Sequence, residues 1–134
     1  MQAYKLTETL AVCGQISPAV VAEIAAAGFK VLINNRPDGE EPGQPGSAEI
    51  RAAAEQAGLE YYYMPVNAMT FPGEDLAGMG RLFDDPERPV FAYCRTGTRC
   101  ANLWVASRPA GDREAATVLA QKIGFDLSLA ARIS

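Results

Sequence analysis

The sequence predicts an α/β fold in which a single, mostly parallel central sheet is flanked by helices. Short apolar runs alternate with amphipathic stretches, the connections between them are long enough for helical crossovers, and glycines follow the helical stretches. Parallel strands require such crossovers, whereas antiparallel strands are joined by short hairpins. The chain has 134 residues, a length typical of one domain, so we expect a single domain over residues 1–134.

The first half of the chain contains three predicted strands and two predicted helices. The predicted strands cover residues 10–13, 29–33 and 59–66. Ser17 and Pro18 are typical of a helix start, and Gly28 suits the left-handed position just past a helix end. Residues 36–46 contain three prolines and three glycines, so we predict a loop there. Ser47 is then predicted to cap the second helix.

The second half contains one predicted strand and three predicted helices. A helix over 74–85 precedes a strand over 89–93, and the last helix starts after Asp112 and ends near Gly124. Between them, the strand leads directly into a cysteine-containing loop and a helix rich in Ala, Leu, Trp and Val. Ligands of α/β proteins bind where loops leave the carboxyl ends of the strands. Three loops have that position: residues 35–46, 67–73 and 94–99.

Composition excludes several classes of function. Sixteen acidic and 12 basic side chains give a net charge of −4, which disfavours nucleic-acid and membrane partners because both are anionic. The chain contains no histidine. Catalytic triads, Cys–His dyads and His-ligated zinc are therefore excluded.

The cysteines indicate a reducing compartment. Their number is three, which does not suit a disulfide framework, and their spacing lacks the paired Cys-x-x-Cys pattern of a zinc site. The first residues have no signal-peptide pattern, and no apolar stretch reaches the ~18 residues of a membrane span. These features predict a cytoplasmic protein.

The loop after Tyr93 is the strongest functional feature of the sequence. It reads Cys94-Arg95-Thr96-Gly97-Thr98-Arg99 and lies between a buried strand and a helix. Amide N–H groups and a helix N-terminus at such a place attract anions, and they favour the thiolate of a cysteine. We predict an anion-binding loop formed by Arg95, Thr96, Gly97, Thr98 and Arg99. The alternative is a small core cysteine beside solvated arginines.

Three stretches of the chain resemble a known family. Residues 10–17, 27–43 and 93–99 resemble the phosphatase-like domain of beta-lactamase hydrolase-like proteins, a small relative of dual-specificity phosphatases. The loop by itself resembles the active loops of both cysteine phosphatases and rhodaneses. The resemblance implies a tyrosine-phosphatase-like fold in which Cys94 is the nucleophile and Arg99 holds the oxyanion.

The sequence departs from the phosphatase pattern at three places. Tyr93 stands where the phosphatase signature has histidine, and four residues rather than five separate Cys94 from Arg99. The shorter loop is typical of a rhodanese. Dual-specificity phosphatases also carry an acidic residue after the preceding strand, where this chain has Asn67. Asparagine cannot donate a proton to a leaving group.

A carboxyl group from another loop is therefore needed as the general acid of a phosphatase. The acidic turn at residues 36–41 follows the predicted strand at 29–33, so it belongs to the same sheet edge as the Cys94 loop. We predict Asp38 as the acid, with Glu41 as the second choice. The alternative is that this turn is a solvated loop. Glu74 and Asp75 precede an apolar helical run, so helix capping is the favoured interpretation for them.

Three hypotheses follow. The first is a cysteine-dependent phosphatase-like hydrolase that acts on a phosphate ester through a phosphocysteine at Cys94. The second is a sulfurtransferase that carries a persulfide on Cys94, in which Cys100 either resolves an oxidised Cys94 or is a buried structural thiol. The third is a non-catalytic anion-binding domain. The expected partners are a small oxyanion or phosphorylated substrate, or a sulfur donor and acceptor, and no cofactor or metal is expected.

Overall fold

The computed structural model describes residues 2–133, and in it five strands form one sheet with helices on both faces. The strands are β1 Ala3–Thr7, β2 Leu10–Cys13, β3 Val31–Asn34, β4 Glu60–Tyr63 and β5 Val90–Tyr93. Their order is β1-β2-β5-β3-β4, and every pair except β1 with β2 is parallel. The predicted α/β fold with a mostly parallel sheet is confirmed.

Six α-helices connect or follow the strands within residues 2–133. They are α1 Val21–Ala26, α2 Ser47–Ala57, α3 Leu76–Asp84, α4 Thr98–Ala106, α5 Arg113–Ile123 and α6 Ser128–Ala131. Each predicted helix is present. Single 3₁₀ turns at Pro18–Val20 and Ala110–Asp112 lead into α1 and α5.

Two elements were not predicted from the sequence. Strand β1 is an edge strand in which only Leu6 is buried, so it has no apolar run to reveal it. Helix α6 has four residues, which is too short for a helical period. Both are stabilised by tertiary contacts: β1 pairs with β2, and the α6 amide of Ala130 donates to Asn102 Oδ1 at 2.9 Å.

The start of α2 differs from the prediction. Gly46 is the N-cap residue, and Ser47 is already the first helical residue. The Ser47 hydroxyl lies 2.7 Å from the Tyr61 hydroxyl, and its amide donates to Asp38 Oδ1 at 2.8 Å. The predicted Ser47 cap is therefore wrong, because a side chain distant in sequence takes over the role that a local serine normally performs.

The sheet separates two hydrophobic clusters. The cluster on one face packs α3, α4, α5 and α6, and includes Cys94, Cys100 and Trp104. The cluster on the other face packs α1 and α2, and includes Cys13 and Tyr93. Side chains alternate between the faces of a strand, and this alternation places Tyr93 and Cys94 on opposite sides of the sheet.

The four parallel strands end in register. Tyr93 of β5 pairs with Cys13 of β2 and with Asn34 of β3, and Asn34 in turn pairs with Tyr63 of β4. The loops that follow these residues consequently start at the same level of one sheet edge. This alignment brings the cysteine loop, the acidic turn and the loop after β4 together.

Candidate active site

The sulfur of Cys94 is the centre of the candidate site. Cys94 directly follows β5 and is fully buried. Its Sγ accepts a hydrogen bond from the Gly97 amide at 3.1 Å. Gly97 has φ +90 and precedes the first residue of α4, a left-handed conformation that residues with a side chain rarely adopt. The glycine thus turns the chain so that an amide points back at the sulfur.

The surroundings of Cys94 favour its thiolate. A hydrogen bond from the Cys100 thiol is the largest cause that lowers the pKa of Cys94 from 9.0 to about 6, and amide groups of Cys100 and Thr96 and the charge of Arg99 add to it. Burial raises the pKa of Cys100 well above 9.0. These opposite shifts favour the thiolate at Cys94 and the neutral thiol at Cys100 near neutral pH.

Arg99 lies beside this thiolate and is fixed by two neighbouring loops. Its Nη1 and Nη2 donate to the two carboxylate oxygens of Glu40, both at 2.8 Å, and Nη1 also donates to the Val66 carbonyl at 2.9 Å. Among residues 2–133, no protein acceptor pairs with its Nε–H or with the second Nη2–H. These two groups lie on one edge of the guanidinium, and such an edge can grip an oxyanion in bidentate fashion.

The cysteine loop rests on the turn after β2. The Cys94 amide donates to the Cys13 carbonyl at 3.3 Å, and the Gln15 amide donates to the Arg95 carbonyl at 3.2 Å. A methyl group on Gly14 would lie 2.9 Å from that Arg95 carbonyl oxygen. Only glycine allows the two backbone segments to approach so closely.

The other predicted anion-binding residues lie at the mouth of the loop. Arg95 and Thr96 are exposed, and Thr98 is half-buried. The Thr96 hydroxyl donates to the Thr98 hydroxyl at 3.0 Å. These positions leave Arg95 and both threonines accessible to an incoming anion.

Asp38, Glu41 and Asp75 each accept a hydrogen bond from a protein donor. Asp38 Oδ1 accepts from the Ser47 amide at the start of α2, and Glu41 Oε1 accepts from Arg36 Nη2 at 3.0 Å. Asp75 accepts from the Gly78 amide at 2.9 Å and is the N-cap of α3, so the predicted capping role of Asp75 is confirmed. The role of Asp38 as general acid stays a prediction.

Two of the three departures from the phosphatase pattern are single side chains, Asn67 and Tyr93, with defined places in the structure. Asn67 Oδ1 accepts from the amides of Met69 and Thr70 at 2.8 and 2.9 Å, so its side chain shapes the turn that it starts. The Tyr93 side chain is buried on the face of α1 and α2, and burial raises its pKa. The Tyr93 side chain therefore lies on the opposite side of the sheet from Cys94, and the Asn67 amide cannot act as a general acid.

Four contributors to the site were not recognised in the sequence: Glu40, Arg36, Gln15 and the Val66 carbonyl. Arg36 donates through Nε to Glu40 Oε1 at 2.9 Å and through Nη1 to Gln15 Oε1 at 3.0 Å. The acidic turn resembled a solvated loop because its residues are polar and rich in turn formers. The one feature of the sequence that could have indicated this network is the pair Glu40 and Glu41, which follows Arg36 in a loop at the predicted sheet edge.

Neither a metal-binding cluster of His, Cys, Asp or Glu nor a membrane-crossing helix occurs in residues 2–133. The helices there are too short or too polar to span a bilayer.

The sequence profile of the beta-lactamase hydrolase-like protein, phosphatase-like domain, matches residues 3–111. The chain belongs to this family. It is 38% identical over 135 residues to the beta-lactamase hydrolase-like protein of Agrobacterium fabrum, and the match covers 98% of this chain. It spans only 31% of the length of that relative, so the phosphatase-like domain corresponds to a part of the larger protein.

Solved structures show the same fold for the phosphatase-like domain. A "putative phosphatase" from Neisseria meningitidis Z2491 is 38% identical, with a TM-score of 0.77 over 97% of this chain and 94% of that one. Tk-PTP in its active form has a TM-score of 0.71 at 22% identity, over 94% and 87% of the two chains. TpbA of P. aeruginosa, solved in complex with phosphotyrosine, has a TM-score of 0.68 at 19% identity, and the match covers 97% of this chain and 80% of TpbA. The domain is thus phosphatase-like, and it shares its fold with these solved phosphatases.

Proposed function

We propose that the domain is a cysteine-dependent hydrolase of phosphate esters in which Cys94 is the nucleophile and Arg99 the oxyanion clamp. The observation that carries the proposal is the position of the Cys94 thiolate, which accepts the Gly97 amide and lies beside an arginine with an unoccupied edge. A thiolate and a bidentate donor at one place are the two parts that phosphoryl transfer requires. The phosphotyrosine bound by TpbA supports the same substrate class here.

The proposed reaction has two steps. The Cys94 sulfur attacks phosphorus, the S–P bond forms, and the P–O bond to the leaving group breaks. Water then attacks the phosphocysteine, the S–P bond breaks, and the sulfur returns as thiolate while phosphate leaves. Arg99 and the loop amides stabilise the negative charge on the equatorial oxygens in both steps.

The general acid is the part of the mechanism for which the contacts are least favourable. Asp38 remains our first candidate and Glu41 the second, but each accepts a hydrogen bond from a protein donor. The Arg99 and Arg36 guanidiniums hold the pKa of Glu40 below 4.5, so Glu40 is an ionised carboxylate. Aryl phosphates have good leaving groups and need little protonation, and we expect them to be better substrates than alkyl phosphates.

Sulfur transfer is the second candidate function, and two observations favour it. Only four residues separate Cys94 from Arg99, and the carboxylates of Asp38, Glu40 and Glu41 each accept a hydrogen bond from a protein donor. In this reaction the Cys94 thiolate attacks the outer sulfur of thiosulfate, the S–S bond forms, and sulfite leaves with the bonding electrons. Sulfite needs no proton to leave. A thiol acceptor then removes the outer sulfur from the persulfide.

One pair of assays separates these functions. Turnover of p-nitrophenyl phosphate that disappears in Cys94→Ser supports hydrolysis. A mass gain of one sulfur atom after thiosulfate, reversed by cyanide and absent in Cys94→Ser, supports sulfur transfer. If neither occurs, the third hypothesis stands, in which the loop binds anions without catalysis.

A further inference from the structure

Arg36 is the largest of the fully buried side chains, with 1% of its surface exposed. It follows β3 by two residues, and its amide donates to the side chain of Asn34 at 2.8 Å. A buried guanidinium is unfavourable unless its donors are paired. Here the pairing partners are Gln15, Glu40 and Glu41, at 2.9 to 3.0 Å. Because the Arg36 guanidinium is buried and paired through each of its nitrogens, it does not contribute to the solvated surface, and its contacts indicate another role.

Glu40 connects Arg36 to the candidate site. Its Oε1 accepts from Arg36 Nε at 2.9 Å and from Arg99 Nη2 at 2.8 Å, while Oε2 accepts from Arg99 Nη1. The Glu40 carboxylate therefore accepts hydrogen bonds from the buried Arg36 on one side and from Arg99 on the other. Because both Arg99 contacts use Nη atoms, the edge of Arg99 that contains Nε remains available for an oxyanion.

We propose that Arg36 is a positioning residue that acts on Arg99 through Glu40. It fixes the Glu40 carboxylate in the one orientation that aligns the free edge of Arg99 for an oxyanion at Cys94. This inference rests on the proposed function only where it treats the bound oxyanion as part of a substrate. The alignment of Arg99 by Arg36 is a statement about anion binding and holds whether or not the domain is catalytic.

The geometry explains why this position requires arginine. Three donors on one rigid plane meet oxygens from two segments, with Gln15 after β2 and both glutamates after β3. A lysine ammonium is a point charge on a flexible stem and cannot hold these three directions at once. Arg36→Lys therefore preserves the buried charge but removes the alignment.

The test measures anion binding at Cys94 rather than turnover alone. We alkylate Cys94 with iodoacetamide at pH 6.5 and determine the concentration of inorganic phosphate that halves the rate. Arg36→Lys is expected to raise this concentration at least tenfold. The matched control is Arg88→Lys, which changes a paired arginine just before β5 at the opposite sheet edge and should leave phosphate protection unchanged.

A double-mutant cycle separates positioning through Glu40 from general support of the loop. If Arg36 acts through Glu40, Arg36→Lys should add less than twofold to the effect of Glu40→Gln. Independent, multiplicative effects would overturn the proposal. So would full phosphate protection in a folded Arg36→Lys protein.

A second variant covers the case in which Arg36→Lys does not fold. Gln15→Ala removes the acceptor of Arg36 Nη1, together with the hydrogen bond from Gln15 Nε2 to the Ile16 carbonyl. It should weaken phosphate protection several-fold in the wild-type background but not in Glu40→Gln. Equal protection in Gln15→Ala and wild type would refute the proposal. Absence of any phosphatase turnover, together with Arg36-dependent protection, would refute the proposed hydrolysis and support the positioning role.

Discussion

At the scale of single residues, two neighbouring thiols of the site have opposite pKa shifts. Cys100 is fully buried, which raises its pKa well above 9.0, and its thiol is the largest cause that lowers the pKa of Cys94 to about 6. The chain contains no histidine, and histidine is the neighbour that lowers the pKa of many reactive cysteines. In the proposed mechanism the Cys100 thiol takes that role. The arrangement makes Cys100 an activator of Cys94 and therefore a residue with measurable influence on the pH profile.

We expect the alkylation rate of Cys94 to rise with a midpoint near pH 6, its lowered pKa. Cys13 and Cys100 should label far more slowly, because burial raises the pKa of Cys13 to about 12 and that of Cys100 well above 9.0. Cys100→Ala should move the Cys94 midpoint upward, while Cys13→Ala should leave it in place. Peptide mapping after brief alkylation measures all three. Equal labelling of the cysteines would contradict an activated Cys94.

Arg99→Lys should lose most activity, because an ammonium cannot reproduce the planar fork. Loss of one such contact costs about 2–4 kcal/mol in the transition state, or roughly 30- to 1,000-fold in kcat/KM. The measurement is turnover of p-nitrophenyl phosphate together with phosphate protection of Cys94. Arg88→Lys is again the control. Parental turnover in Arg99→Lys would remove this residue from the mechanism.

At the scale of elements, the active loop depends on its close packing against the turn after β2. A Cβ atom at position 14 would lie 2.9 Å from the Arg95 carbonyl oxygen, and backbone on both sides leaves little room to yield. We expect Gly14→Ala to displace the loop and weaken phosphate protection of Cys94 at least tenfold. Gly111→Ala is the matched control, since nothing lies within 4 Å of its added methyl. Unchanged protection in Gly14→Ala would show that the loop tolerates the shift.

The start of α2 provides a separate test of Asp38. Asp38→Ala removes the acceptor of the Ser47 amide and should lower the free energy of unfolding by about 1 kcal/mol, as other lost N-terminal caps do. Asp38→Asn keeps an acceptor oxygen and should retain most of this stability, but it cannot donate a proton. If Asp38 is also the general acid, Asp38→Asn should slow alkyl phosphate hydrolysis much more than aryl phosphate hydrolysis. Urea titration and the two substrates measure the two roles independently.

At the scale of the whole molecule, the thiolate makes stability depend on pH. The pKa of Cys94 falls from 9.0 to about 6 on folding, so between these values the unfolded chain binds more protons at this group. Stability should therefore rise with pH from 6 to 9, by at most about 4 kcal/mol, and this contribution is lost as the pH falls through 6. Cys13 has the opposite shift, and its contribution is lost only above pH 9.

Urea unfolding at pH 6.0 and 8.5 measures this dependence. The wild type should be more stable at pH 8.5, whereas Cys94→Ser should show little difference between the two values. Glu40 does not interfere, because its pKa is lowered from 4.5 and its contribution changes only at more acidic pH. A rise of equal size in Cys94→Ser would assign the effect to other groups.

Local patterns in the sequence were sufficient to predict most of the fold and to single out the Cys94 loop as the candidate site. Apolar runs and helix stops such as Gly28 depend on neighbouring residues alone. A cysteine between a strand and a helix lies at the helix N-terminus, so the partial positive charge near its sulfur also follows from the local sequence. The parallel arrangement followed from the crossover lengths. These features are encoded locally, so they were predictable without knowledge of the tertiary contacts.

The tertiary structure alone decided which polar residues serve the site. Arg36 and Glu40 resemble solvated loop residues in the sequence, yet one is completely buried and the other joins two arginines. Asp38 was predicted from its neighbourhood, but its carboxylate accepts the first amide of α2. Hydrogen-bond partners far apart in the chain are chosen by the distances that folding creates, and a linear sequence does not contain those distances. The sequence by itself determined the fold class and pointed to the Cys94 loop, whereas folding determined the network that surrounds this loop.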